Sequence, residues 1–312
     1  KVVDLRLESL PKGLITRPTL VWHLESDRAG GRETELSYLT SGLSWHAEYV
    51  AVTNEDDTEA DLAAWVSIEN RCGADFADAR LQLVAGDVHR VLEQKRPVRA
   101  RMMMEMAGAG ADAGFEEESF FEYHLYTLPR AATLYDRETK QLALFAPTRT
   151  PVSKLYEYQP WRDEKKVRVV LELENREDRG LGMPLPKGKV RTYKRDSRGG
   201  EQFVGEDAID HTPRNEKLRL GLGNAFDVVA ERLLISDSRV SERVRDRSFQ
   251  VELRNRKTEP VVVAVQDRFW GDWEIRSSSH EHAKKDARTA EWSIELGADS
   301  VIKLLYTVRN RG

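Results

Sequence analysis

Two histidines separated by one residue, His280 and His282 in SSSHEHAKKD, are the side chains best spaced for metal chemistry. Residues two apart on an extended segment project to the same side, so both imidazoles can face one zinc or copper ion. Asp272 and Asp286 are the candidates for a third ligand, and two imidazoles by themselves fall short of a metal site. Asp210-His211, followed by Thr212-Pro213, supplies an acid/base pair. Sequence neighbours on a strand point apart, so hydrogen bonds that cap a loop are the expected use of this pair. Together these residues would be the machinery of a metal-assisted hydrolase acting on a peptide or glycan.

Binding chemistry has two further sources. Lys187, Lys189, Arg191, Lys194, Arg195 and Arg198 line one expected hairpin, with Tyr193 among them. Such a row can hold an anionic glycan or a phosphate-bearing surface, or it can be a solvated strand face balanced by the acids interspersed along the chain. The densest aromatic cluster is Phe269-Trp270-Gly271-Asp272-Trp273. Trp270 and Trp273 differ in parity, so at most one faces the core of a regular strand, and the other is free to stack on a sugar ring or a partner. Trp270, Trp273, Lys189, Arg191, Tyr193 and Arg195 are therefore the candidate binding residues, and no catalytic residue or cofactor is assigned.

Several catalytic templates are missing from the sequence. It contains neither a Gly-x-Ser-x-Gly elbow nor a His-Glu-x-x-His pair. The segment 182–189 has five residues between its glycines where a P-loop has four, no following Ser or Thr, and prolines that oppose the loop. GLGNAF at 221–226 has two of the three dinucleotide-fingerprint glycines but leads into a strand pattern. Cys72 is the sole cysteine, so an internal disulfide and a thiolate zinc cage are both excluded. Following a strand pattern, it reads as a partly buried small residue.

Composition narrows the partners. Among 312 residues, 49 basic and 53 acidic side chains are interspersed and give a net charge of −4, which offers no global field for nucleic acid. No apolar run approaches the roughly 20 residues of a membrane-spanning helix. A charged fraction of 33% suits sheets whose outer faces are solvated. The chain length calls for two or three packed units rather than one core.

The elements that must position these residues are strands. VRVVLELENR at 167–176 alternates apolar and charged residues and stops at an Asn-Arg turn signal; the same grammar recurs in WVSIENRCG at 65–73 and FQVELRNRKTEP at 249–260. Further strands are expected at 2–10 and 19–24, separated by Pro11-Lys12-Gly13, then at 35–39, 45–53 and 60–69, with NEDDT as the turn of the last hairpin. The segment 93–118 lacks a strand period and reads as an exposed insertion with one helical turn at 100–106. Strand patterns resume at 119–127 and 141–145, and Pro147, Pro151 and Pro160 punctuate an expected connection. In the second half, strands at 189–194 and 202–205 flank the loop DSRGG, and strands at 217–222 and 226–235 follow. The last third has strand patterns at 248–254, 260–268, 273–277, 289–296 and 301–309, a spacing that suits a β-sandwich. The expected fold is mainly β, with antiparallel sandwich lobes: a β-rich lobe at 1–155 bearing the insertion, a middle lobe at 156–235 and an immunoglobulin-like sandwich at 236–312.

The segments ELSYLTSGLSWHAEYVA (35–51), LQLVAGDVHRV (81–91), FFEYHLYTLPRAATLYDRETKQLALF (120–145) and GLGMPLPKGKVRTYKRD (180–196) resemble a bacterial family, the domain of unknown function carried by mucoidy-inhibitor-like proteins. FVGEDAIDHTP (203–213), LGNAFDVVAER (222–232) and GDWEI (271–275) extend the likeness from about residue 17 to 309. The resemblance implies a β-rich C-terminal part that an N-terminal β or coiled region would precede, and export to the periplasm or cell surface. It brings no catalytic residues. Cys72 and the His280-Glu281-His282 run depart from the family pattern. The reading that follows is a non-catalytic binding or scaffolding module of the bacterial envelope that recognises a protein or polysaccharide by sheet faces or edges. Its oligomeric state is left open by the sequence.

Overall fold

The computed structural model describes His23, Glu25, Gly30, Gly31, residues 33–86 and residues 114–311. The chain divides into two units, Lys1–Thr40 and Ser41–Gly312. In the first unit, residues 33–40 are exposed and form no strand, so the strand expected at 35–39 is absent. The strands expected at 2–10 and 19–24, the Pro11-Lys12-Gly13 turn and the helical turn at 100–106 lie outside the described residues. So does the expected insertion up to residue 113, and its last residues, Glu116 to Glu118, are strand.

The second unit is built of strands, with a single 3-10 turn at Glu177–Arg179 as its helical element among the described residues. A hairpin of β1 (Leu43–Thr53) and β2 (Glu59–Asn70) comes first. Five short strands follow: β3 (Phe76–Ala79), β4 (Gln82–Ala85), β5 (Glu116–Phe120), β6 (Tyr123–Thr127) and β7 (Ala132–Leu134). They make two small sheets, β3-β7 and β4-β6-β5. The long β8 (Thr139–Tyr158) and β9 (Lys166–Glu174) precede β10 (Gly188–Arg195) and β11 (Glu201–Ile209). Next come β12 (Lys217–Ser241), β13 (Val244–Asn255), β14 (Val261–Arg268), β15 (Asp272–Ser278), β16 (Ala283–Lys284), β17 (Thr289–Leu296) and β18 (Ser300–Arg311). The fold is mainly β and largely antiparallel; β1 with β10 and β14 with β8 are the parallel pairs among the described strands.

The repeated sequence template is the frame of the fold. β2 and β13 end at an asparagine, Asn70 and Asn255, and Asn175 directly follows β9; all three side chains are buried. From each asparagine the chain leaves on an excursion and returns as the antiparallel neighbour of the same strand: β8 beside β2, β12 beside β9, β18 beside β13. The side-chain amides bond both ends of these excursions. Asn70 Nδ2 donates to Ala74 O at 2.8 Å and Leu134 O at 3.2 Å. Asn175 donates to Met183 O and Pro213 O, both at 2.8 Å, and Asn255 to Glu259 O at 2.9 Å and Gly297 O at 2.8 Å. Each Oδ1 in turn accepts a backbone N–H, from Cys72, Gly182 and Lys257. Just before each returning strand a non-glycine residue turns left-handed: Arg137 at φ 61°, Asn215 at φ 64° and Asp299 at φ 40°. A buried amide with donors and acceptor all satisfied is the polar group a strand end tolerates.

The expected connection around Pro147 and Pro151 is instead the middle of β8. Pro147 lies in a bulge, where the register jumps from Leu62↔Thr148 to Ala64↔Phe145, so its missing N–H takes no bond from the ladder. Pro151 is where β8 passes from β2 to β9: it faces Glu59, and Val152 already faces Leu173. Likewise the strands expected at 217–222 and 226–235 are one strand, β12, interrupted by register shifts at Gly221/Gly223 and Asn224/Val229. Its first half pairs with β9 and its second half with β13.

β8 and β12 thus each serve two cores. Around the first, the sheet runs β11-β10-β1-β2-β8-β9-β12 and curls until β11 meets β12, where Gly221 N donates to Asp207 Oδ2 at 2.7 Å. Gly205 permits this closure, since a Cβ there would lie 2.8 Å from Leu222 O. Inside are Tyr49, Val66, Leu144, Leu171, Leu185 and Leu220. The second core, between β12-β13-β18-β15 and β8-β14-β17, holds Trp292, Leu253, Val263, Ile294, Leu304 and Tyr306.

Candidate binding surfaces

The two tryptophans differ in burial, Trp273 lying in β15 and Trp270 in the turn before it. Trp273 is 6% exposed, packs on Phe269 with ring centroids 5.1 Å apart, and donates its indole N–H to Ala287 O at 2.9 Å. Trp270, in the turn before β15, is 70% exposed with the Arg288 guanidinium 4.6 Å from its ring centroid. Of the pair, Trp270 is the one that presents a ring to solvent.

On the β10-β11 hairpin the cations meet carboxylates. Lys189 Nζ lies 3.3 Å from Glu206; Arg191 lies 3.6 Å from Glu48 and 3.8 Å from Glu206; Arg195 lies 2.9 Å from Asp61. Tyr193 stacks edge-on against Phe203 at 5.6 Å. Lys194 reaches Asp57 at 2.7 Å, where Lys154 binds the same carboxylate. Burial pushes the Asp57 carboxyl up, and the two ammonium groups more than offset it, so its pKa ends below the usual range. The row of positive charge is thereby balanced locally.

The histidines each have a partner of their own. His280 Nδ1 sits 2.8 Å from Ser279 Oγ, and His282 lies against Trp292 at 6.1 Å between centroids. His211 Nδ1 accepts the Lys187 N–H at 3.2 Å, and the Asp210 carbonyl accepts the Thr212 hydroxyl at 2.9 Å, both bonds within the turns that flank β10 and β11. No group of three or more metal-ligating side chains occurs among the described residues. Cys72 is partly buried beside Asn70 Oδ1, its sulfur 2.9 Å away.

The second half of β12 forms a surface of another kind. Ala230 N donates to Lys165 O at 3.3 Å; beyond it, among the described residues, no strand pairs with this edge, while the opposite edge stays paired with β13, across two register shifts, to Ser241↔Val244. Leu233, Leu234, Ile235 and Val240 along this stretch are each about half exposed. A bulge between Leu234 and Ser236 sets Ile235 outside the β13 ladder. Beyond the bulge, Arg239 stands directly opposite Arg245, and Asp237 opposite Arg247. Residues opposed across strands and residues two apart share a face, so three arginines and one aspartate share this one. Asp237 pairs with Arg245 at 3.4 Å. Arg239 donates to the Ser241 carbonyl at 3.3 Å, and the buried Nε of Arg247 has no hydrogen-bond partner.

The profile of a family described as a domain of unknown function, DUF4139, matches residues 34–310. The chain belongs to the DUF4139 family. No curated protein matches it. The match spans every strand from β1 to β17 and all but the last residue of β18. Both cores and all the surfaces above therefore belong to DUF4139. No helix among the described residues is long and apolar enough to cross a membrane.

Two features of this DUF4139 chain were not visible in the sequence. One is a groove of about 680 Å³ over the outer faces of β9, β8, β14 and β17, lined by Asp57, Lys154, Glu157, Arg219, Val262 and Glu291 among others. Its charges are cross-linked: Arg219 bonds Glu157 and lies 3.2 Å from Glu172, and Lys285 lies 2.6 Å from Glu291. The other is a buried polar cluster in the second core, where Asp267 accepts hydrogen bonds from both Arg232 and Tyr306. Arg232 also lies over the Phe249 ring at 4.6 Å. These residues come from strands 35 and 39 positions apart, a separation that leaves no local pattern to read.

Proposed function

We propose that this DUF4139 chain is a non-catalytic binding and scaffolding module of the bacterial envelope that receives an extended segment of a protein partner on the free edge of β12. The envelope placement rests on the resemblance to mucoidy-inhibitor-like proteins. The observation that carries the binding mode is the edge from Leu233 to Ser241, which no strand pairs with on one side among the described residues, with half-exposed Leu233, Leu234, Ile235 and Val240 along it. A row of free backbone donors and acceptors is complementary to another strand, and alternate side chains then select it. The titratable groups in this region hold structural bonds, as Arg232 does with Asp267. A photo-crosslinking residue placed at Leu234 in the producing bacterium is expected to give a discrete protein adduct, lost when Ser238→Pro breaks the β12-β13 rung opposite Asp246 and so distorts the edge. Adducts that persist with Ser238→Pro would overturn this reading.

A polysaccharide partner is the second reading, and exposed Trp270 favours it: an indole face backed by a guanidinium is a stacking platform. Loss of binding to envelope polysaccharide fractions in Trp270→Ala, with Leu234→Asp unaffected, would select it over strand addition.

A further inference from the structure

We infer that the strand received by β12 is acidic at one end: it carries a carboxylate opposite Arg239, four to six residues along from apolar side chains that cover Leu233 to Ile235. The inference rests on the strand-addition reading and names the chemistry of the partner. Three observations lead to it. Arg239 and Arg245 oppose each other directly across the β12-β13 hairpin, an arrangement that destabilises a sheet unless an anion lies between or beside the two. Asp237 is paired with Arg245, which leaves Arg239 with a backbone carbonyl as its bonded partner. On the same face the buried Nε–H of Arg247 has no acceptor, although its Nη2 bonds Asn310 at 3.0 Å. The face thus holds three guanidinium groups to one carboxylate, and an incoming carboxylate opposite Arg239 supplies the charge it lacks.

The bulge at Leu234/Ser236 argues for a foreign strand rather than a second copy of this chain. An edge carrying an irregular register pairs poorly with its own twofold image, because the two bulges do not nest. A bulge is also one of the devices that keep an exposed edge from indiscriminate pairing, so the site is selective as well as open.

Two fluorescent ten-residue peptides test the inference, each alternating Thr and Val, one ending in Asp-Thr-Asp and the other in Lys-Thr-Lys. Anisotropy titrations at low salt are expected to show the acidic peptide binding at least tenfold more tightly than the basic one, with the preference reversed by Arg239→Glu. The Ser238→Pro chain should bind neither. Equal binding of the two peptides, or a preference unchanged by Arg239→Glu, overturns the charge assignment and leaves strand addition standing. Binding of neither peptide, or binding unaffected by Ser238→Pro, overturns both. Sedimentation of the chain alone supplies a third arm: a dimer abolished by Ser238→Pro makes the occupant a second copy and overturns the acidic-partner inference. Arg239 is exposed near the hairpin end, so thermal unfolding of Arg239→Glu should match the parent within a few degrees, whereas Ser238→Pro, which also loses the rung to Asp246, should unfold somewhat earlier while keeping the strand signal of the rest of the chain.

Discussion

The side-chain amide of Asn255 donates to the carbonyl of Gly297 at 2.8 Å, closing an excursion of 42 residues that begins and ends at the same place in the sheet. Asn70 and Asn175 do the same for the other two excursions, so the chain uses one device three times. The three excursions carry β3 to β7, β10-β11 and β14 to β17.

Asn255→Ala should therefore destabilise the protein by about 1 to 3 kcal/mol, because it removes a buried amide and leaves two backbone carbonyls and one N–H without their side-chain partner. Asn175→Ala should cost a similar amount. Urea denaturation followed by tryptophan fluorescence measures it. A midpoint within error of the parent would show that the amide is dispensable.

Tyr306 is the second measurable case. Burial, reinforced by the Asp267 carboxylate beside it, holds the Tyr306 phenol well above its ordinary pKa. Burial does the same to Tyr49, Tyr126 and Tyr158. A phenol that stays protonated when folded but ionises when unfolded contributes stability that is present below the ordinary value of about 10 and is lost as pH rises above it. Stability should fall steeply above about pH 10, and Tyr306→Phe should flatten that fall while lowering stability at pH 7, where its hydroxyl bond to Asp267 is missing. Denaturation midpoints from pH 7 to 11 give both slopes.

Asp57 contributes on the acid side. Its backbone is left-handed at φ 56°, and its carboxylate binds Lys154 and Lys194. A depressed carboxyl contributes stability above its unfolded pKa of about 3.9, lost as pH falls through the folded value. Asn tolerates the left-handed region, so Asp57→Asn isolates the charge. It should cost about 1 to 3 kcal/mol at pH 7 and give a shallower acid limb below about pH 4. Parallel acid limbs for parent and variant would refute the assignment.

The tryptophans make a paired test. Trp273→Ala empties a core position bonded to Ala287 and packed on Phe269, and should cost about 3 to 5 kcal/mol. Trp270→Ala should change stability by less than about 0.5 kcal/mol, since it removes a solvent-facing ring. Thermal unfolding of both variants reads the difference.

The sequence by itself determined the strands: the alternation in β2, β9 and β13, their common halt at Asn70, Asn175 and Asn255, and the opposite parity of Trp270 and Trp273 are all local properties of two to ten residues. It also placed the hairpin turns at NEDDT and DSRGG. Three things were decided only in three dimensions. Pro147 is absorbed by a bulge opposite β2, and so β8 runs on where a break was expected. The cations of β10 are neutralised by Glu48, Asp61 and Glu206, of which only Glu206 belongs to the same hairpin. Leu233 to Ile235 lie on an open edge, although the same residues in a central strand would look no different. Alternation reports which face a side chain takes, because it is set by the backbone at that residue. Partners and edges depend on register between strands tens of residues apart, and only the folded chain fixes that.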